Sequence, residues 1–480
     1  MKKQISLLLA VVLAILCCLS PLMLGTAADK AKEDALYEVS QTVYADAYML
    51  IDLNDDSHPL LAQKNKDKKK YPASLTKIAT AMVILNNMKD LQQKTTVSQG
   101  AIEMLAGTDA QIVGLSAGEE VTMEKLLSLI MVYSACDACS VAAEAIAGSV
   151  PAFVEMMNDW AKKVGCTSTH FVNCDGLHDE DHYTTAADIA RMSLAAIKND
   201  IFMQICTQTY VDFHEIRYYH TNFMLDDSQP LYYYKYAKGI KTGSTNAAGY
   251  CVVTTAVKGD YRYLAVVMDS PMQDYKGEEA KYSFIDAAAL FDWAFASLHY
   301  TTVLKQGQSA IDIKLTRAKD ADTVPLISNS DIKVLVPTTA DADVKIEPID
   351  PPEELQAPLK KGEKICKANI VYNKQVLATV ELQTGNAVEL STFYKCLAFL
   401  KAHLVATLIC LLVLVILIFI LLKLRKRPQQ KKAAPQQQSG AQKKKAAPRR
   451  RNRHEPSEKQ KQYAAYKRQQ ARERNENPRD

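Results

Sequence analysis

The sequence has little cysteine, glycine or proline, with 11, 17 and 17 of these residues among 480. These low contents exclude a collagen-like chain, a low-complexity disordered chain and a small disulfide-dense fold. Hydrophobic residues make up 48% and charged residues 23%, which is the composition of a globular protein with a sizeable core. At roughly 150 residues per domain, this length predicts two to four folded units.

The cysteines follow no disulfide pattern. Two lie in an N-terminal apolar run, Cys410 lies in a C-terminal one and Cys396 borders it, so seven remain between them. An odd number without regular spacing argues against a full disulfide framework, although one or two bridges stay open outside the cytosol. Cys136 and Cys139 would fit a redox or metal pair, but no second pair at zinc-finger spacing accompanies them, so we favour a helical coincidence.

Positive charge is concentrated at the C-terminal end of the chain. Residues 423–480 hold 20 Lys/Arg against 5 Asp/Glu, whereas the remainder holds 38 against 49. Rich in Gln, Pro and Ala, this basic tail cannot bury enough apolar surface to fold alone, and we predict that it is disordered. Its charge favours anionic membrane lipid. We expect no nucleic-acid partner, because only Tyr463 and Tyr466 offer aromatic rings for stacking.

Long apolar runs lie near both ends. The first follows Lys2 and Lys3 and ends at small residues, which predicts a cleaved signal peptide over residues 1–27; an uncleaved anchor is the alternative. The second, residues 404–422, is uncharged over 19 residues, enough to cross roughly 30 Å of hydrocarbon. We predict a transmembrane helix over 402–422, with a buried core helix as the alternative. The basic flank then makes this a single-pass cell-membrane protein with a cytoplasmic tail and an extracytoplasmic body.

Hydrophobic periodicity predicts an α+β domain over residues 35–297. Strands are predicted at 42–53, 59–63, 239–244, 249–257 and 262–269. Helices are predicted at 74–88, 124–147, 151–163, 185–197 and 278–297. One hairpin before the helices and three strands after them predict a single antiparallel sheet with helices packed on it. Residues 304–390 show short alternating runs with proline breaks, which predicts a small all-β domain.

The segment Ser74-Leu75-Thr76-Lys77 carries the sharpest chemical pattern. Positions i and i+3 share one helix face, so the Lys77 amine can lie beside the Ser74 hydroxyl. A serine hydroxyl is a poor nucleophile without a base, and a lysine that is partly desolvated near another cation can lose its proton and act as that base. The pattern therefore predicts a serine-lysine acyl transferase, although Ser-x-x-Lys alone is common.

Two later segments strengthen this prediction: Ser134-Ala135-Cys136, at a predicted helix junction, and Lys241-Thr242-Gly243-Ser244, in a predicted strand. With the three segments in this order, the chain resembles the penicillin-binding proteins of the D-alanyl-D-alanine carboxypeptidase type, the peptidase S11 family. The resemblance covers residues 35–390 and extends to Asp175-Gly176-Leu177-His178. It implies a β-lactamase/DD-peptidase-like fold followed by a β-rich domain.

The resemblance also implies a role for eight residues. Four are implied to be catalytic: Ser74, Lys77, Ser134 and Lys241. Four are implied to contact substrate: Cys136, Thr242, Gly243 and Ser244. In this scheme Lys77 is the base for Ser74, and Lys241 lowers the proton affinity of Lys77. Thr242 and Ser244 hold the substrate carboxylate, and Gly243 lets the substrate strand approach closely. The backbone N–H groups of Ser74 and Ser244 form the oxyanion hole.

The implied reaction releases the terminal D-alanine of peptidoglycan stem peptides through an acyl-enzyme on Ser74. β-Lactam antibiotics are the implied covalent inhibitors, and we expect neither a cofactor nor a metal. Cys136 departs from the family, which usually has Asn there, and a thiol is a weak donor and acceptor. A weakly active or non-catalytic wall scaffold is therefore one alternative, and a transpeptidase or β-lactamase on the same fold is another.

Two further patterns carry competing interpretations. His178 and His182 are spaced as zinc ligands on a helix would be, but the usual Glu is missing, so we predict a solvated loop. Tyr232, Tyr233 and Tyr234 either flank the substrate groove or pack as ordinary half-buried rings.

Overall fold

The computed structural model describes residues 35–273, 277–339 and 343–425. The predicted signal peptide and residues 426–480 of the predicted tail lie outside these ranges. The chain divides into two compact units between Phe399 and Leu400. The first unit contains both the α+β region and the β-rich region.

Nine strands belong to the α+β region: β1 Ala47–Asp52, β2 Leu60–Lys64, β3 Lys94–Thr96, β4 Glu120–Thr122, β5 Tyr210–Phe213, β6 Ile216–Tyr219, β7 Ala237–Thr245, β8 Gly249–Lys258 and β9 Tyr261–Ser270. Five of them form one antiparallel sheet in the order β2-β1-β9-β8-β7. The predicted sheet, assembled from an early hairpin and three late strands, is confirmed. β7 lies at one edge of this sheet.

Successive residues of the central strands face two separate cores. On β9, Leu264 and Val266 pack into a large cluster with the helices of the middle of the chain. Their neighbours Tyr263 and Ala265 pack instead into a second cluster, which is completed by the last helix of the region. Side chains alternate along a strand, so a sheet that is buried on both faces carries apolar residues at consecutive positions.

Among the described residues, the helices that pack around the sheet are α1 Lys77–Asn87, α2 Gln99–Glu103, α3 Met123–Ser128, α4 Cys136–Ala147, α5 Val150–Lys163, α6 Ala186–Ala196, α7 Asp200–Cys206 and α8 Tyr282–Ser297. The helix predicted over 124–147 is interrupted by a π-helical turn, Leu129–Tyr133, and by Ser134, which has a left-handed φ of 73°. The predicted junction at Ser134 is thus present. Neither α7 nor the β5–β6 hairpin was predicted.

The β-rich region contains eight strands: β10 Leu298–Leu304, β11 Ser309–Thr316, β12 Thr323–Ile327, β13 Ile332–Pro337, β14 Lys345–Ile349, β15 Glu354–Gln356, β16 Lys364–Tyr372 and β17 Gln375–Thr384. They form a pair, β10-β13, and a six-stranded sheet, β14-β16-β17-β12-β11-β15. The all-β prediction is confirmed, although the first strand begins at Leu298 and not near residue 304. The Tyr37 hydroxyl donates to the Leu335 carbonyl at 2.6 Å, which ties this region to the chain segment before β1.

Two helices follow, α9 Thr392–Ala402 and α10 Leu404–Arg425. The Leu404–Leu424 segment of α10 has a mean hydropathy of 3.5 and is long and apolar enough to cross a bilayer. Its apolar side chains are exposed in the described part of the chain, which is consistent with the predicted transmembrane helix. The helix extends beyond residue 422, where we placed its end.

Candidate active site

Ser74 lies in a single 3₁₀ turn, Ala73–Thr76, which leads directly into α1. Side chains at i and i+3 eclipse one another in 3₁₀ geometry, so Ser74 and Lys77 are aligned by the local backbone. The Lys77 Nζ lies 2.9 Å from the Ser74 Oγ. The contact predicted from the sequence is therefore present.

The Lys77 amine is buried and held by three contacts. Besides Ser74 Oγ, its Nζ donates to the Asp175 carbonyl at 2.5 Å and lies 3.5 Å from the Cys136 Sγ. The side chain has no solvent exposure. Proton transfer to or from this amine therefore takes place inside the site and not directly with bulk water.

A cleft of about 570 Å³ brings the three motif segments together. Six of the eight predicted site residues line it: Ser74, Ser134, Cys136, Thr242, Gly243 and Ser244. The other two, Lys77 and Lys241, have fully buried side chains. Lys77 contacts Ser74, and the Lys241 Nζ donates to the Thr242 carbonyl at 3.1 Å.

Two glycines let the walls of the cleft approach the turn that carries Ser74. A Cβ added to Gly243 would lie 2.9 Å from the Pro72 carbonyl oxygen and 3.1 Å from the Ser74 nitrogen. Gly243 thus allows a close approach of the turn that carries Ser74. A Cβ added to Gly176 would lie 2.0 Å from the Ala73 carbonyl oxygen, and Gly176 also has a φ of +87°. Both positions therefore require glycine.

The two buried amines differ in their proton affinity. Burial and the positive charge of Lys77 hold the pKa of Lys241 well below its usual range. Burial also opposes the Lys77 ammonium, but the neighbouring Cys136 and Cys139 sites favour that form, and the pKa of Lys77 is raised. We expected Lys241 to lower the pKa of Lys77, whereas in the empty cleft the lowered pKa belongs to Lys241. As the pH rises, Lys241 therefore loses its proton before Lys77 does.

The Cys136 thiol occupies the position where we expected it, at the start of α4 and in the cleft wall. Cys136 and Cys139 are both buried on that helix as free thiols, which fits the helical coincidence and not a disulfide. Every cysteine in the described ranges is free. Those ranges also contain no group of three or more His, Cys, Asp or Glu side chains that could hold a metal.

His182 corrects one prediction. The loop around it is not simply solvated, because His182 is only 2% exposed and both ring nitrogens have partners. Burial lowers the pKa of His182 to about 3, so its ring is neutral near pH 7. His178, by contrast, is exposed.

Two of the three tyrosines that follow Leu231 pack as ordinary rings. Tyr232 lies edge-on to Phe284 at 5.5 Å, and Tyr234 stacks on Phe291 at 5.8 Å. Neither lines the cleft, so the packing alternative holds for both.

Several cleft residues carry no signal in the sequence. Thr221 accepts a hydrogen bond from the Thr242 hydroxyl at 2.6 Å and so orients it. Tyr250, Lys281 and Phe284 also line the cleft. These residues belong to no recognisable motif, and only the folding of distant segments brings them to the nucleophile.

Two family models match the chain. One, described as D-alanyl-D-alanine carboxypeptidase, covers residues 31–272, and the other, described as penicillin-binding protein 5, C-terminal domain, covers residues 299–390. The chain belongs to the D-alanyl-D-alanine carboxypeptidase family. This carboxypeptidase is a serine hydrolase, and its family acts on peptidoglycan stem peptides and binds β-lactams.

Individual relatives agree with this assignment. The D-alanyl-D-alanine carboxypeptidase DacA of Escherichia coli (strain K12) is 30% identical over 355 residues, which cover 71% of this chain and 84% of DacA. DacF of Bacillus subtilis (strain 168) is 29% identical over 324 residues, 67% of this chain and 81% of DacF. The structure of penicillin binding protein 5 from Haemophilus influenzae superposes with a TM-score of 0.58 at 28% identity and covers 74% of this chain and 100% of that one.

Proposed function

We propose that Ser74 attacks the carbonyl of the penultimate D-alanine, with Lys77 taking the hydroxyl proton. The observation that carries this proposal is the 2.9 Å contact between the Ser74 Oγ and the Lys77 Nζ at the wall of the cleft. Attack breaks the peptide bond to the terminal D-alanine, which leaves as the free amino acid after it takes up a proton. Water then hydrolyses the acyl-enzyme and frees the shortened stem peptide.

In this proposal, Lys241 accepts the proton that Lys77 must lose before it can act as a base. Its lowered pKa makes it the proton acceptor of the pair while the cleft is empty. When a substrate carboxylate binds beside Thr242 and Ser244, its negative charge favours the ammonium form of Lys241. A proton then moves from Lys77 to Lys241, with the Ser134 hydroxyl as the relay, and Lys77 becomes a base only when substrate is bound.

We propose that the stem peptide binds along the edge strand β7. It is hydrogen-bonded to β8 on one side and lies at the end of the sheet order, so its other edge can pair with an extended peptide. Its residues Thr242, Gly243 and Ser244 line the cleft. In this arrangement the N–H groups of Ser74 and Ser244 point at the developing oxyanion, and Gly243 leaves the Ser74 N–H uncovered.

We further propose that α10 anchors the protein in the cell membrane, with the catalytic region of residues 35–297 outside and the basic residues 423–480 inside. The apolar length of α10 and the position of the basic residues support this orientation. A C-terminal tag on intact cells should resist added protease, whereas the catalytic region should be digested. Digestion of the tag on intact cells would reject this orientation.

Labelling with a fluorescent penicillin tests the proposed nucleophile. The full chain in detergent should form a covalent adduct that survives denaturation and should release D-alanine from a synthetic pentapeptide. The Ser74→Ala variant should do neither, while the matched variant Ser116→Ala, at an exposed loop serine, should do both. A label that persists in Ser74→Ala would reject Ser74 as nucleophile. Rapid turnover of a chromogenic cephalosporin would point instead to a β-lactamase.

A further inference from the structure

We propose that His182 is a positioning residue that fixes the turn carrying Ser74. The proposal rests on the proposed role of Ser74, because it concerns the geometry of that same site. His182 lies outside the cleft lining and contacts neither Ser74 nor Lys77 through a hydrogen bond. Its influence passes through Thr76 and Ala73.

The hydrogen bonds around His182 have only one consistent direction. The Val172 N–H donates to the His182 Nδ1 at 3.1 Å, so this nitrogen carries no proton. In a neutral ring the proton must then lie on Nε2, which is 2.7 Å from the Thr76 Oγ1 and donates to it. The Thr76 hydroxyl in turn donates to the Ala73 carbonyl at 2.8 Å. A directed chain of three bonds therefore joins Val172 to the residue before the nucleophile.

Ala73 is a position that needs such support. Its φ of +47° lies in the left-handed region, which is unfavourable for a residue with a Cβ. Conformations of this kind persist only where the surroundings hold them. The Ala73 carbonyl is held on one side by the Thr76 hydroxyl and packs on the other against Gly176. Releasing the hydroxyl would let this peptide rotate and displace Ser74.

His182 lies in the loop between α5 and α6. Two other hydrogen bonds join this loop to α1, but they use the loop backbone. Lys77 donates to the Asp175 carbonyl, and the Thr80 hydroxyl donates to the Cys174 carbonyl at 2.6 Å. Among these connections, His182 is the one that depends on a loop side chain. The loop can therefore keep its attachment to α1 when His182 is changed, which separates positioning from folding.

The surroundings keep the bond pattern fixed. His182 and Thr76 are 2% and 0% exposed, and the imidazole packs against Phe171 with ring centroids 5.5 Å apart. The charged or titratable groups that act on the ring are Asp179, His170, Lys77 and His178. Burial outweighs their combined effect and keeps the ring neutral. The Thr76 hydroxyl therefore always accepts a hydrogen bond from the His182 Nε2.

Two amide variants separate the two bonds of the ring. Asn places its side-chain amide near the Nδ1 position, so His182→Asn can still accept from Val172 but cannot reach Thr76. Gln places its nitrogen near the Nε2 position, so His182→Gln keeps the donor to Thr76. We expect His182→Asn to reduce the rate constant of acylation by a fluorescent penicillin at least tenfold with unchanged initial binding, and His182→Gln to stay within threefold of wild type.

A double-mutant cycle identifies the path of the effect. Thr76→Val removes the hydroxyl that links His182 to Ala73 and should slow acylation about as much as His182→Asn. The double variant should be no slower than either single variant, because both remove the same chain. Equal loss in His182→Asn and His182→Gln, or additive losses in the double variant, would overturn the proposal and leave His182 with a purely structural role.

A second measurement does not depend on catalysis. The ¹⁵N shifts of the His182 ring in the full chain, assigned by comparison with His182→Gln, should show a protonated Nε2 and an unprotonated Nδ1. The opposite tautomer would overturn the proposal even if acylation were slow in every variant. If the wild type failed to acylate but the expected tautomer were found, the proposed role of Ser74 would fail while the positioning contact stood.

Discussion

At the scale of single residues, the site depends on how two buried amines share protons. Lys77 touches the nucleophile, whereas Lys241 carries the lowered pKa. Neither amine can exchange protons directly with bulk water, because both side chains are fully buried. In the proposed mechanism the base is therefore produced by transfer inside the site, and the charge of Lys241 controls that transfer.

Replacing Lys241 with Met should remove the proton acceptor and leave Lys77 protonated. We expect acylation by penicillin at pH 7.5 to fall by about 100-fold, the scale of a lost acid–base group. The residual rate should keep rising as the pH is raised above 7.5, because Lys77 must then lose its proton without Lys241, through the other groups in the cleft. Lys238→Met, an exposed lysine on the same strand, is the control and should behave like wild type. A pH profile in Lys241→Met that matches wild type would contradict the proposed transfer.

Cys136 gives a second prediction at this scale. A thiol 3.5 Å from the Lys77 Nζ is a weak hydrogen-bond partner, whereas an amide would accept from Lys77 and also bond the substrate backbone. Cys136→Asn should therefore raise the rate of D-alanine release by about tenfold, the scale of one added hydrogen bond to a charged group.

Cys136→Ala provides the comparison for this change. It should alter the rate by less than threefold, because the thiol contributes little. A rate that falls in Cys136→Asn would show that the site is adapted to the smaller side chain.

At the scale of elements, the cleft forms where β7 and the loop after α5 both pack against the 3₁₀ turn, Ala73–Thr76. Gly243 on β7 and Gly176 in the loop meet the backbone of residues 72–74 from two sides. The turn is thus clamped by backbone contacts, which side chains at these two positions would block. The helix is interrupted between α3 and α4, and the left-handed conformation of Ser134 at this break brings Ser134 to the cleft.

Gly176→Ala tests the clamp. The added Cβ would meet the Ala73 carbonyl oxygen at 2.0 Å and would also require a positive φ. Gly259→Ala is a matched control, because Gly259 has a φ of +59° but nothing within 4 Å of the added Cβ. We expect the control to lose about 1 kcal/mol of unfolding free energy and to keep its penicillin label. Gly176→Ala should lose more stability and at least 90% of its labelling rate, and equal effects in both variants would reject the clamp.

At the scale of the whole molecule, buried neutral histidines link stability to pH. Burial lowers the pKa of both His182 and His220 to about 3. In the unfolded chain a histidine has a pKa of about 6.5. Between these values the unfolded state binds protons that the folded state refuses, so the unfolding free energy decreases as pH falls from about 6.5 to about 3. Each histidine contributes up to about 1.4 kcal/mol per pH unit.

His220→Gln measures this linkage. The variant should be less stable than wild type near pH 7, because the Asn222 N–H loses its acceptor, the His220 Nδ1, at 2.8 Å. Its stability should nevertheless fall less steeply between pH 6 and pH 4, by about 1.4 kcal/mol per pH unit. Urea unfolding at several pH values gives both quantities. As a control, His178→Gln at an exposed histidine should leave the slope unchanged. An unchanged slope in His220→Gln would contradict the contribution of His220 to the pH dependence of stability.

The sequence by itself determined the local pieces. The Ser74–Lys77 contact follows from i, i+3 spacing, the sheet strands follow from apolar runs, and α10 follows from 19 uncharged residues in succession. Each of these features depends on interactions between neighbours in the chain, which a pattern can record. The order of the three motif segments was enough to indicate the family.

Only the tertiary structure decided which distant groups meet and what that contact does to them. It moved the lowered pKa from Lys77 to Lys241, gave Gly243 a backbone contact with the nucleophile turn, and buried His182, which we had placed in solvent. It also brought Thr221 to Thr242 without any motif. Burial and proximity between remote segments set proton affinity and strain, and one-dimensional spacing does not encode either quantity.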